Sequence, residues 1–88
     1  DVMFAAPPRL ALDLPADTRV SLYPLGRVSG ESHGLRWPLD GLVLEPSGRV
    51  GTSNAALGGA VSLVLDGPCI LILPRRHLAQ AVAALSGA

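Results

Sequence analysis

The residues able to do chemistry in this sequence are few, and two short segments hold the best of them. Gly34-Leu35-Arg36-Trp37-Pro38-Leu39 carries the only Trp. Gly51-Thr52-Ser53-Asn54 sets three small polar side chains in a row where a strand would be ending. An indole offers a broad face for stacking, and its quadrupole also attracts a cation. A hydroxyl beside a carboxamide offers hydrogen-bond donors and acceptors. Read singly, each segment has a plain structural alternative: Trp37 as a core or rim packing residue, and Thr52-Ser53-Asn54 as a turn or a cap for nearby backbone.

Other chemistries are poorly represented. Lys is absent, so a Walker-type phosphate loop cannot exist, and no Gly-x-Gly-x-x-Gly follows a strand. His33 and His77 lie far apart in unlike contexts, and the single Cys69 permits neither an internal disulfide nor a Cys-based zinc site. No metal site is expected. Ser, His and Asp all occur, but no nucleophile elbow surrounds any Ser, and no catalytic residue is assigned. Cys69, within Pro-Cys-Ile-Leu-Ile-Leu, reads as a small buried hydrophobe. A lone thiol fits a reducing, cytoplasmic setting.

Length and charge narrow the classes further. Eighty-eight residues make a single domain. Seven Arg balance seven acidic residues, which argues against nucleic acid as a partner. The longest apolar run, Cys69 to Leu73, is far too short to span a bilayer. The chain opens Asp-Val-Met-Phe without a signal-peptide layout, and it is expected to be a piece of a longer protein.

The elements that must position these residues are read from eight Pro and ten Gly, which cut the chain into short pieces. Arg19-Val20-Ser21-Leu22-Tyr23 alternates with period two and predicts a strand. Val61 to Leu65 and Cys69 to Leu73 flank Asp66-Gly67-Pro68 and predict a hairpin. Leu42 to Leu44 and Arg49 to Thr52 flank Glu45-Pro46-Ser47-Gly48 and predict a second. Asp40-Gly41 reads as a turn. Repeated short strands joined by tight turns predict an all-β sandwich or barrel, of which a small jelly-roll-like sandwich of antiparallel strands is the expected form. After Pro74 the pattern changes, and Leu78, Ala81, Val82 and Leu85 recur at helical spacing. They predict one short C-terminal helix docked on the sandwich by that stripe.

Four segments in order then resemble a known family. Val20-Ser21-Leu22-Tyr23-Pro24-Leu25, Gly34-Leu35-Arg36-Trp37-Pro38-Leu39, Gly51-Thr52-Ser53-Asn54 and Asp66-Gly67-Pro68-Cys69-Ile70-Leu71-Ile72 are similar to the thiamin-binding C-terminal domain of thiamin pyrophosphokinases. The resemblance covers roughly residues 19–73. It implies an enzyme that transfers diphosphate from ATP to the hydroxyl of thiamin, giving thiamin diphosphate and AMP. It also implies that ATP and Mg²⁺ are handled by an N-terminal α/β catalytic domain absent from this sequence. A homodimer sharing its sites between subunits is implied as well, so this piece alone is expected to be inactive.

By the same resemblance Trp37 takes the aromatic place against thiamin, and Ser53 and Asn54 take the polar places. Ser32 and Leu35 are candidates for lining the pocket beside Trp37. The family often has an acidic residue after Ser-Asn, whereas Ala55-Ala56 stands here, so a carboxylate contact from that place is not expected. Asp40 could face the thiazolium charge, although its Asp-Gly setting favours a turn. A sandwich serving only for oligomerisation is the alternative reading. A carbohydrate-binding module is less well matched, because one Trp and one Asn are few for a sugar binder.

Overall fold

The computed structural model describes residues 1–48 and 51–86, and at 51–53 the backbone alone. Eight strands are described: β1 (Val2–Ala5), β2 (Arg9–Leu14), β3 (Arg19–Pro24), β4 (Val28–His33), β5 (Val43–Leu44), β6 (Gly51–Ala55), β7 (Gly59–Asp66) and β8 (Cys69–Leu73). A 3-10 turn at Arg75–His77 leads into helix α1 (Leu78–Ser86). The strands form two four-stranded antiparallel sheets, in the orders β1-β8-β3-β6 and β2-β7-β4-β5. Apart from β4 and β5, which are neighbours in one sheet, consecutive strands alternate between the two sheets, and the whole is the small all-β sandwich that the sequence predicts.

Period-two alternation builds the core. Leu10, Leu12 and Leu14 of β2 face inward with Val61, Leu63 and Leu65 of β7, and Val20 and Leu22 of β3 meet Leu71 and Leu73 of β8. Fully burying such aliphatic side chains contributes about 1.5–3 kcal/mol each. The cluster is almost wholly aliphatic, with Phe4 packed only at its margin.

The predicted hairpins are corrected by this topology. Val61 to Leu65 and Cys69 to Leu73 are strands, but β7 and β8 lie in opposite sheets. Asp66-Gly67-Pro68 therefore carries the chain across the sandwich. Gly67 has φ +125°, and a Cβ there would come within 2.3 Å of the Arg27 carbonyl oxygen, so the crossing needs Gly. Glu45 to Gly48 does turn, with the Gly48 N–H donating to the Glu45 carbonyl at 3.2 Å. It likewise precedes a change of sheet, since β5 pairs with β4 and β6 with β3. Arg49 and Val50, part of the second predicted hairpin, lie outside the described residues.

The helix is also where expected, but it docks differently. Its buried face is Ala81 and, in part, Ala84, beside the buried His77 of the preceding turn, whereas Leu78, Val82 and Leu85 are exposed. The Gln80 carboxamide explains the rotation. Its Oε1 accepts the Asp13 N–H at 2.9 Å and its Nε2 donates to the Asp13 carbonyl. That pairing draws the helix close against the edge strand β2, and alanines suit so short an approach.

The two outer faces differ. On the first sheet the cross-strand rows Met3–Ile72–Ser21 and Ala5–Ile70–Tyr23 are largely apolar. On the second, Arg9, Asp13, Ser29, Glu31, His33, Ser62 and Asp66 face outward. No helix among the described residues is long and apolar enough to cross a membrane.

Candidate functional site

Gly34 starts the site. It has φ +84°, and a Cβ on it would fall 2.2 Å from the Ala60 carbonyl oxygen, so only Gly lets the chain leave β4 here. The next residues run beside the end of β6. Leu35 bridges Ala56, the Arg36 N–H donates to the Ala55 carbonyl at 2.8 Å, and the Leu57 N–H donates to Gly34 at 2.8 Å. On the other side of the same stretch, Asp17 N–H donates to Ala56 and Ala56 N–H donates to Thr18, both at 2.8 Å. Three backbone rows thus lie together at this corner, carrying Asp17, Ala56 and Leu35 side by side.

Leu35 and Leu39 point into the core, both nearly fully buried, while Trp37 between them is 57% exposed. Burial of its own ring therefore does not hold Trp37. Its main chain is held instead: the Trp37 N–H donates to Asn54 Oδ1 at 3.2 Å, and Asn54 Nδ2 donates to the Trp37 carbonyl at 2.8 Å. Asn54 Oδ1 also accepts the Ala55 N–H at 2.9 Å. Asn54 faces inward opposite Val20 in the β3–β6 ladder and is only 5% exposed. A carboxamide so buried must be bonded, and here it is bonded as a peptide would be.

Ser32 does the matching work from the other sheet. Its register partner is Leu63, it is buried, and its Oγ accepts the Leu39 N–H at 2.9 Å. The Ser32 N–H, beyond the end of β5, donates to Asp40 Oδ1 at 3.1 Å. One inward polar residue from each sheet therefore fastens the loop that presents the indole. Sequence reasoning places Ser32 and Leu35 at a pocket wall. In the fold, Ser32 ties the Leu39 backbone and Leu35 is a core plug. Asp40 does belong to a turn, as its Asp-Gly setting suggests, and its carboxylate closes that turn on β4.

Ser53 lies in β6, but its side chain is outside the described residues. Its backbone sits in an irregularity, because the β3–β6 register shifts between Val20, opposite Asn54, and Leu22, opposite Gly51. Two residues of β6 there oppose one of β3, the arrangement of a bulge.

Two residues missed in the sequence complete the corner. The Arg36 guanidinium lies over the Trp37 ring, 6.0 Å from its centroid, and pairs with the Asp17 carboxylate. Asp17 is the only non-Gly residue with positive φ among the described residues, at 65°. Asp tolerates that conformation better than most side chains. The turn is locked by the Thr18 hydroxyl, which donates to the Pro15 carbonyl at 2.7 Å. The Pro15-Ala16-Asp17 turn signal was visible in the sequence; its approach to Trp37 was not, since it depends on pairing across Ala55 and Ala56.

The remaining reactive side chains lie elsewhere. Cys69 is buried, and burial pushes its thiol up to about 11. His33 is exposed, and His77 is buried in the 3-10 turn before α1 with Nε2 lacking a partner. Among the described residues no three His, Cys, Asp or Glu side chains gather as a metal set would. A groove of about 680 Å³ runs between β2 and α1, lined by Arg9, Ala11, Asp13, Gln80 and neighbours. It shares no residue with the Trp37 corner, and the Gln80 carboxamide in its wall is taken up by the Asp13 main chain.

Comparison with protein families decides what the corner belongs to. Residues 9–70 match the family described as thiamin pyrophosphokinase, vitamin B1 binding domain. The chain belongs to that family. The match takes in both segments of the corner, Gly34 to Leu39 and Gly51 to Asn54, and it supports the reading of a thiamin-binding domain over that of a ligand-free oligomerisation module. A search of curated proteins gives no match.

Proposed function

We propose that this thiamin-binding domain holds the vitamin against Trp37 while a separate catalytic domain of the same polypeptide transfers diphosphate from ATP to its hydroxyl. The observation that carries this assignment is a half-exposed indole whose main chain is bonded on both sides by one buried carboxamide. A stacking platform needs an accessible face and a fixed position, and this arrangement supplies both. The aminopyrimidine and thiazolium of thiamin are flat, and the thiazolium is permanently cationic, so stacking and cation–π attraction act together.

Ser53 supplies a hydroxyl for the aminopyrimidine edge. The part of Asn54 is chiefly to position Trp37, because Oδ1 already accepts two N–H groups and one Nδ2 hydrogen is engaged. ATP, Mg²⁺ and the groups that act on phosphate belong to the other domain, and this chain by itself carries out no turnover. The apolar outer face around Met3, Tyr23, Ile70 and Ile72 supports burial against a second subunit in a homodimer. A cytoplasmic setting suits its unpaired Cys69.

The test is kinetic. In the full-length enzyme Trp37→Ala should raise the thiamin KM about tenfold, the effect of losing roughly 1.4 kcal/mol of stacking, and leave the ATP KM within a factor of two. Ser53→Ala should raise the thiamin KM less, without lowering Tm. Equal changes in both KM values for Trp37→Ala would make the indole a structural residue and end the assignment.

A further inference from the structure

We infer that Asp17 and Trp37 form the two walls of a box for an organic cation, and that the Arg36 guanidinium fills this box as an internal stand-in until a ligand displaces it. The inference rests on the proposed thiamin-binding role of this corner and names how the ligand charge is recognised there.

Three observations converge. The guanidinium of Arg36, a flat delocalised cation, lies over the indole while its Nη2 meets the Asp17 carboxylate. A thiazolium has the same features: planar, permanently charged and weakly hydrated. Asp17 is held in an unusual left-handed conformation by the Thr18–Pro15 bond and by its own N–H to Ala56. Such conformations persist where the surrounding structure fixes them, and they gather at functional sites. Finally, the pair is easy to open. Both side chains are substantially exposed, at 47% for Arg36 and 75% for Asp17, and exposed ion pairs and cation–π contacts are weak.

Displacement has a defined consequence for charge. When Arg36 swings out to water, the Asp17 carboxylate and the indole face are left beside one another, and an incoming cation regains both interactions. A neutral ring regains only the stacking. Arg36 therefore lowers the affinity of every ligand for that face, while Asp17 returns the loss to cations alone. Asp40 is engaged differently: its Oδ1 accepts the Ser32 N–H and closes a turn.

Two measurements separate this inference from the assignment it rests on. In this 88-residue chain Trp37 is the sole indole, so its emission can be quenched by cationic 1-methylnicotinamide and by neutral acrylamide. Arg36→Ala should raise the ratio of cationic to neutral quenching about threefold, and adding Asp17→Asn should return it to the parent value or below. Arg9→Ala, which removes the same charge from β2, should leave the ratio unchanged. In the full-length enzyme Arg36→Ala should lower the thiamin KM about threefold, and the Asp17→Asn, Arg36→Ala pair should raise it again about fivefold. An unchanged quenching ratio in Arg36→Ala, or one that Asp17→Asn does not reverse, overturns the cation box. If the quenching behaves as expected while Trp37→Ala leaves the thiamin KM untouched, the box stands and thiamin is not its ligand.

Discussion

Two segments close the sandwich, the Gly34–Asp40 loop at one corner and helix α1 along the β2 edge, and each is fastened by a carboxamide that binds one residue's N–H and C=O together. Asn54 does this to Trp37 and Gln80 does it to Asp13. The chemistry is the same and the setting is opposite. Asn54 faces the core and is almost fully buried, whereas Gln80 is only partly covered and its bonds are exposed to water. A buried carboxamide has no solvent to fall back on, so its bonds fix geometry. An exposed one competes with water at every moment and only biases it. The loop that carries Trp37 is built on the first kind, and the edge cover on the second.

The sharpest way to break this comparison is to remove Asn54. Asn54→Ala leaves the Trp37 N–H without its acceptor and the Trp37 carbonyl without its donor, and opens a small void beneath the loop. The expected loss is about 2–3 kcal/mol, lowering Tm by roughly 10–20 °C for a domain this size. The Trp37 emission should shift and its anisotropy fall even where the chain remains folded. Asn54→Asp tests the geometry separately, since it retains the acceptor while losing the donor to the Trp37 carbonyl. Near neutral pH it should fall at least as far as the alanine variant in Tm, because a buried carboxylate then faces the Trp37 carbonyl with no proton to donate. If Asn54→Ala costs no more than the corresponding change at Gln80, burial is not what distinguishes the two clasps.

How much of this was legible depends on whether a feature is local. Strand β8 was read with the ends it has, and β3 within one residue, because their alternation and turn signals are written in adjacent residues. Strand β2, Arg9-Leu10-Ala11-Leu12-Asp13-Leu14, is absent from the strands expected from the sequence although it alternates just as clearly, and its period is the signal that could find it. Strand β4 was hidden for a better reason: its inward positions are Val28, Gly30 and Ser32, and Ser32 serves the loop instead of the core. The turns at residues 45–48 and 66–68 were visible, but which sheet the chain enters next is decided by long-range packing. At the site, Trp37 was legible as a singular residue, and the Asn54 clasp beneath it was not. The distance in sequence is 17 residues, and only the β3–β6 ladder and the Gly34 turn bring them together.

Ser32 offers a sharper, smaller version of the first test. It holds the same loop from the opposite sheet, is equally buried, and accepts one bond, from the Leu39 N–H at 2.9 Å. Ser32→Ala should cost about 1–2 kcal/mol, or roughly 5–10 °C in Tm, because one buried donor loses its partner and little volume is lost. Trp37 anisotropy should change less than in Asn54→Ala, since Asn54 still grips the indole-bearing residue. A loop that depends on both sheets equally would instead show the same anisotropy in the two variants.

Gln80→Ala should have the smallest effect on stability and a different consequence. Its two bonds to Asp13 are exposed, so losing them should cost about 0.5–1 kcal/mol, a few degrees in Tm. The freed groups, however, belong to an edge strand. In β2 the residues alternate, so the outward main-chain groups of Asp13 share their direction with those of Ala11 and Arg9, away from β7. Proteins cover such edges because unpaired N–H and C=O groups recruit further strands. Gln80→Ala should therefore show concentration-dependent association by sedimentation or light scattering at a Tm close to that of the parent, and Trp37 anisotropy at low concentration should not move. Gln80→Glu, which keeps the acceptor and adds charge beside the edge, should suppress the association. A monomeric Gln80→Ala variant at high concentration would mean that the body of α1, through Ala81 and Ala84, covers the β2 edge without the clasp.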